Sequence, residues 1–187
     1  SDGSSRWVTG EQARADVHCL RASAGAVLAG TGTVLADDPQ LTIRSAAGDH
    51  ATLLSVKPPL RVVVGVRDVP MSARVFDDAA PTMQIRSDDP VQVLAQLHEQ
   101  EVRHAFLEGG PTLAAAFLRA GLIDEIVAYI APALLGAGAP AVGDLGIANI
   151  ENIARFQLHD VARLGDDVRL RLRPRNLEND TASMKGI

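Results

Sequence analysis

The chain has one cysteine, one tryptophan and one tyrosine among its 187 residues. Cys19 alone forms no internal disulfide, and it excludes every metal motif that needs several thiolates. Aromatics reach only 3%, so a core must be built mainly from Ala, Val, Leu and Ile, which the 47% hydrophobic content can supply. No apolar run approaches the ~18 residues of a membrane span, and no secretory signal opens the chain, so a cytoplasmic location is expected. No basic stripe stands out against the net charge of -5, which argues against nucleic acid as a partner while leaving single arginines able to hold one small phosphate. The five histidines show no metal-ligand spacing, and no G-x-S-x-G stretch offers a serine nucleophile. The opening SDGSSRW is polar and turn-rich, and the chain is expected to have lost an upstream strand.

What remains alternates between two periodicities. Residues 10–24 read as a helix with Ala13, Val17 and Leu20 at helical spacing, followed by a short apolar run at 25–30 that suits a strand buried on both faces. An acidic loop then leads to LRVVVGV (60–66), the clearest buried strand, and PTMQIR (81–86) reads as another. Asp89-Pro90 starts an amphipathic helix over 89–101. A strand follows at 102–110, a helix at 111–122 stopping at Gly121, and a strand at 124–132. Residues 156–174 form two extended segments around Gly165, Asp166 and Asp167, a hairpin signal. The expected fold is α/β: a mainly parallel central sheet with helices on both faces and a C-terminal antiparallel hairpin. One domain over 1–174 and a loose tail over 175–187 complete the reading.

Two strand ends carry the chemistry. In LEGGPTLAAAF, Gly109 and Gly110 either make a tight strand-to-helix turn or let an anion approach the exposed N–H groups of the helix start. Glu108 favours the second reading, because a carboxylate at the carboxyl end of a buried strand sits where open α/β sheets bind ligands. In GTGTVLADDPQLTIR (30–44), Thr31, Gly32 and Thr33 occupy another strand end, with Asp37 as the ligand contact and Asp38-Pro39 as turn chemistry. The histidines, His18 among them, read as structural or exposed.

Together SSRWVTG, the helix ending in LRA, GTGTVLADDPQLTIR, LEGGPTLAAAFL, IAPALLGAGAP and RLGDDVRL resemble the reductase domain of the bifunctional riboflavin-biosynthesis deaminase/reductase family, of the dihydrofolate-reductase-like three-layer fold. The resemblance implies NADPH-dependent reduction of the ribosyl group of 5-amino-6-(5-phosphoribosylamino)uracil, with hydride delivered to the sugar C1. It puts Ser5, Arg21, Leu41, Arg44 and Glu108 on the substrate side. The two arginines would grip the 5-phosphate, helped by a backbone N–H from Leu41–Arg44. It puts Trp7, Thr33, Asp37, Gly110, Pro111, Thr112, Leu113, Ala114, Ala115 and Ala116 on the cofactor side. Glu108 and Asp37 become the candidate catalytic groups for moving a proton, with no metal required.

The resemblance also implies a phosphorylated small-molecule substrate, a homodimer and a fused N-terminal deaminase domain. That domain's zinc signature is absent from these residues, as is the family's Lys-x-Ala-x-Ser-x-Asp-Gly-like run before the first strand. Where the family often has Asp or Ser after the second strand, this chain has Gly65, Val66 and Arg67, and Arg67 is the candidate contact for a 2′-phosphate. Two alternatives stay open: a same-fold reductase with another pterin or pyrimidine substrate, and a non-catalytic dinucleotide-binding or dimerisation module.

Overall fold

Four strands lie parallel in the order β3-β2-β1-β4: β1 (Ala26–Gly30), β2 (Leu60–Val64), β3 (Thr82–Ile85) and β4 (Ala105–Leu107). The coordinates are a computed structural model describing residues 8–44, 57–136 and 138–175. Ala26–Ala29 and Val62–Val64 are buried at every successive position, so both faces of the sheet centre are covered, as uninterrupted apolar runs require. Arg61 is fully buried at the start of β2. Its guanidinium donates to Asp77 Oδ1 (2.7 Å) and to the carbonyl oxygens of Gln40, Asp77 and Ala80, tying the strand to the loops that follow Pro39 and Phe76. Hydrogen bonds from Arg61 and then Gln40 hold the Asp77 carboxyl below its usual range.

The helices are α1 (Glu11–Ser23), α2 (Thr31–Asp37), α3 (Pro90–Glu99) and α4 (Pro111–Arg119). Asp89 caps α3 by accepting the Val91 N–H at 2.9 Å, with Pro90 in the first turn. α4 ends in a Schellman closure in which Gly121 (φ 66°) and Leu122 donate to the carbonyls of Leu118 and Phe117. The segment expected as an acidic loop begins instead with α2. TGTVLAD has poor helix formers, and Gly30 offers no side-chain cap. Burial supplies what propensity lacks. Thr31 and Val34 are inside, and Val34 joins a core cluster with Val27, Ala29, Leu41, Val63 and Val75. The helix closes at Asp38, whose left-handed backbone (φ 42°) lets its N–H reach Val34 O at 3.0 Å.

A second, antiparallel sheet has the order β5-β7-β6: β5 (Ile126–Ile130), β6 (Phe156–Leu164) and β7 (Asp167–Pro174). The expected hairpin turns through Gly165 and Asp166, with positive φ (68°) at the first of these two loop residues, as a tight hairpin turn of the II′ kind demands. The strand expected at 124–132 pairs with β7 rather than extending the parallel sheet, setting Ile126 and Ala128 opposite Leu172 and Leu170. Burial pushes the Glu125 carboxyl up, but hydrogen bonds from Arg171 and Arg173 outweigh it and leave it below its ordinary value. The two sheets belong to separate compact units of the chain.

Candidate functional site

Chain order and strand order part company at β1. From β1 the chain moves outward to β2 and β3, and α3 then returns it to β4 on the other side of β1. Loops leaving β1 and β4 therefore diverge, and the gap between them is the switch point at which open α/β sheets bind ligands. β1 and β4 approach closely there. The Glu108 N–H donates to Leu28 O at 2.9 Å, and a Cβ at Gly109 would lie 2.8 Å from both Ala29 Cα and Gly30 N. Only glycine permits that contact.

A cavity of about 690 Å³ opens over the carboxyl ends of all four parallel strands. After β1 it is lined by Gly30–Thr33, Ala36 and Asp37, and after β2 by Gly65–Arg67. Ser87 and Asp88 follow β3, while Glu108, Gly110–Leu113 and Ala116 follow β4, with Ala139 at the edge. Its size falls within the range of small-molecule and cofactor sites. Gly110 precedes α4 as its N-cap and offers no side chain to cap the first N–H groups of that helix, whose opening residues Pro111–Leu113 line the cavity.

At one border the site is strongly charged. Arg21, in the last turn of α1, donates from Nε to Glu108 Oε1 and from Nη2 to Glu108 Oε2, both at 2.5 Å. The two side chains are only 14% and 17% exposed, so water screens this bidentate pair poorly. Arg21 Nη1 donates to the carbonyl oxygen of Thr42 at 2.7 Å. One helical turn earlier, His18 Nδ1 accepts the backbone N–H of Arg44 at 3.2 Å. Burial, then the charges of Arg21 and Arg44, push the His18 imidazole down to about 4.

The residues expected from sequence separate into groups. Thr33, Asp37, Glu108, Gly110, Pro111, Thr112, Leu113 and Ala116 share the cavity lining. Ala114 and Ala115 do not line it, because Ala115 is on the buried side of α4. Arg21 stands behind Glu108, and Arg44 is exposed with its N–H already given to His18. Leu41 is 3% exposed within the core cluster, at positive φ (53°), so its side chain packs and only its backbone is available to a ligand. Ser5 and Trp7 lie outside the described residues. Sequence reasoning passed over Ser87, Asp88 and His18. The first two follow a buried strand, which is the signal that would have found them; His18 has only its position three residues before Arg21.

Among the described residues no helix is long and apolar enough to cross a membrane. The RibD C-terminal domain family model matches residues 1–170. The chain is similar to the riboflavin biosynthesis protein RibD of Mycobacterium tuberculosis (strain ATCC 25618 / H37Rv), 53% identical over 92% of this chain and 49% of that protein. It is similar to the 5-amino-6-(5-phosphoribosylamino)uracil reductase of Buchnera aphidicola, 29% identical over 94% of this chain and 99% of that one. The solved structure of Acinetobacter baumannii RibD superposes with a TM-score of 0.80 and 34% identity, covering 94% of this chain and 54% of its own. The chain thus spans about half the length of the RibD relatives it matches. Its mixed α/β architecture is the dihydrofolate-reductase-like one of those structures, and the chain belongs to the RibD C-terminal domain family.

Proposed function

We propose that this chain is an NADPH-dependent oxidoreductase that reduces the ribosyl group of 5-amino-6-(5-phosphoribosylamino)uracil to the ribitylamino product. The observation that carries the reading is the cavity at the β1/β4 switch point, bordered by the Arg21–Glu108 pair and lined by an uncapped helix start. The Buchnera relative, named for that reductase and covered along 99% of its length, supports the same activity. Residues 1–174 would form the reductase module. A fused deaminase domain, as the family resemblance implies, would account for the other half of the longer relatives. A homodimer is the assembly we propose, and exposed Ile130, Leu158 and Val161 of the antiparallel sheet supply apolar surface for it.

The residues present fit a phosphorylated dinucleotide. A Cβ at Gly110 would stand 2.9 Å from Thr33 Oγ1, so glycine there keeps the hydroxyl and the first N–H groups of α4 open to an anion. The guanidinium of Arg67 borders the same cavity beside Gly32 and has no hydrogen-bond or ion-pair partner among the described residues. It is the cation we assign to a 2′-phosphate. Bound there, the nicotinamide supplies the hydride that no side chain provides.

The protein's own contribution is placement and charge. Glu108, its carboxylate fixed by Arg21, accepts hydrogen bonds from the sugar hydroxyls and orients the opened ribose. When the ribose ring opens, its oxygen departs as a hydroxyl and a proton must reach it. We assign that proton to Asp37, an exposed carboxyl bordering the cavity, because both Glu108 oxygens already accept from Arg21. Arg44, whose guanidinium has no partner among the described residues, would hold the 5-phosphate.

The test is NADPH oxidation by the purified chain with the phosphorylated substrate and with its dephosphorylated form. The first should turn over and the second should show a much higher KM. Arg44→Ala should raise KM for the phosphorylated substrate about 10- to 100-fold, the equivalent of losing a charge-assisted contact of about 1.5–3 kcal/mol, with NADPH affinity intact. Equal weakening of both ligands, or of neither, would count against the assignment.

A further inference from the structure

The segment from Leu41 to Arg44 has neither helix nor strand hydrogen bonding to hold it, yet it carries the arginine assigned to the phosphate. It is held at three points. The Leu41 side chain is buried in the core, the Thr42 carbonyl oxygen accepts from Arg21 Nη1, and the Arg44 N–H is given to His18 Nδ1. Two of the three anchors come from one face of α1, since residues three apart lie one above the other on a helix. Arg21 also holds Glu108, so this face fixes the sugar-facing carboxylate and the arginine-bearing segment in one frame.

We infer that His18 is a positioning residue for the substrate's phosphate, using a neutral Nδ1 to fix the backbone at Arg44 and so the origin of that side chain. The inference rests on the reading of Arg44 given above. A ring whose Nδ1 accepts an N–H must carry its own proton on Nε2. Burial, and then the two arginines beside the imidazole, keep it in that neutral form, which accords with its depressed basicity. With the acceptor removed, Arg44 keeps its charge and its covalent place but loses the constraint at its amide. The guanidinium must then be ordered at the moment of binding, and affinity for the phosphate falls by the cost of that ordering.

The experiment uses the whole chain as wild type, His18→Ala and His18→Asn. Asn places its Oδ1 where Nδ1 stood relative to Cβ, so it preserves the acceptor without the ring. Ribose 5-phosphate and ribose serve as binding probes in calorimetric titration, and KM, kcat and NADPH affinity are measured on the same samples. Wild type should prefer ribose 5-phosphate to ribose. His18→Ala should lose roughly five- to tenfold of that preference, the scale of one neutral hydrogen bond. KM should rise by the same factor, while kcat and NADPH affinity move less than twofold, and His18→Asn should recover most of the loss.

A wild type with no preference for ribose 5-phosphate would sink the phosphate reading itself. A wild type that prefers it, with His18→Ala keeping the full preference, would overturn the role of His18 alone. So would a folded His18→Asn as weak as His18→Ala, or a parallel fall in kcat. If His18→Ala does not fold, the Asn variant still decides: wild-type preference and KM support the acceptor role, and their loss ends it.

Discussion

Glu108→Gln separates a carboxylate that only touches a ligand from one that also holds the fold. A side chain facing nothing but solvent and substrate could be exchanged for its amide at no structural cost. Here the exchange meets Arg21. Gln retains one carbonyl oxygen for the Nε–H, but its NH2 faces the N–H of Nη2, so one charge-assisted bond is lost and the other becomes charge-to-neutral. Breaking a fully buried pair costs about 3–5 kcal/mol, and an exposed one under about 1 kcal/mol. At 14% and 17% exposure the pair lies between these limits, nearer the buried one. We expect about 2 kcal/mol of lost stability, which for a chain of this size lowers Tm by roughly 4–8 °C.

Hydride transfer should fall separately, by roughly ten- to a thousandfold, the range for loss of a positioned polar or proton-handling group. Thermal melting and single-turnover NADPH oxidation on the same preparation read the two effects independently. The double variant with Arg21→Gln should lose less stability than the sum of the singles, because they remove the same interaction. Additive losses, or a Tm within about 1 °C of wild type, would refute the energetic account of the pair. Wild-type hydride transfer would remove Glu108 from the site altogether.

Arg67→Ala should weaken NADPH binding while leaving NADH nearly untouched, narrowing the ratio of their Kd values about 10- to 100-fold; an unchanged ratio in parallel titrations would dismiss Arg67 as the 2′-phosphate contact. Stability should also depend on pH through His18. Its folded value is depressed from 6.5 to about 4, so its contribution is full above 6.5 and is lost as pH falls toward 4. The depressed carboxyls of Asp77 and Glu125 begin to lose theirs about one pH unit above their ordinary values of 3.8 and 4.5. Melts of wild type and His18→Asn compared between pH 6.5 and about 5.5 therefore read His18 before those carboxyls titrate. Tm should decline across that interval in wild type and be flatter in His18→Asn, and identical slopes would refute the assignment.

The sequence made legible whatever is decided within a few residues of itself. Val62–Val64 announce a strand buried on both faces because no alternation interrupts them. Asp89-Pro90, Gly121 and Gly165 mark ends and turns because each supplies a local hydrogen bond or a backbone angle that neighbours cannot replace. The site was legible by the same token. A buried strand places the residue after it at a known edge of the sheet, and Thr33, Glu108 and Gly110 were found by that rule. α2 was not legible, since TGTVLAD folds against its own propensity and depends on a pocket for Val34 made by β1, β2 and the chain near Val75. The burial of the Leu41 side chain was not legible for the same reason, because a loop residue at positive φ whose side chain turns into that core leaves no periodic trace.

The Arg21–Glu108 pair shows where such reasoning stops. The partners are 87 residues apart, and each carries a sufficient local explanation: a cation at a helix C-terminus and an anion at a strand end. Nothing nearby in sequence distinguishes a solvated arginine from one that donates through three nitrogens to protein. Their meeting is a product of topology. α1 feeds β1, β4 returns beside β1 at the switch point, and the end of α1 comes within reach of the first residue beyond β4. The crossover that opens the cavity therefore also supplies the cation at its border. Arg21 is thereby committed to Glu108 and Thr42, while the guanidinium of Arg44 has no partner among the described residues.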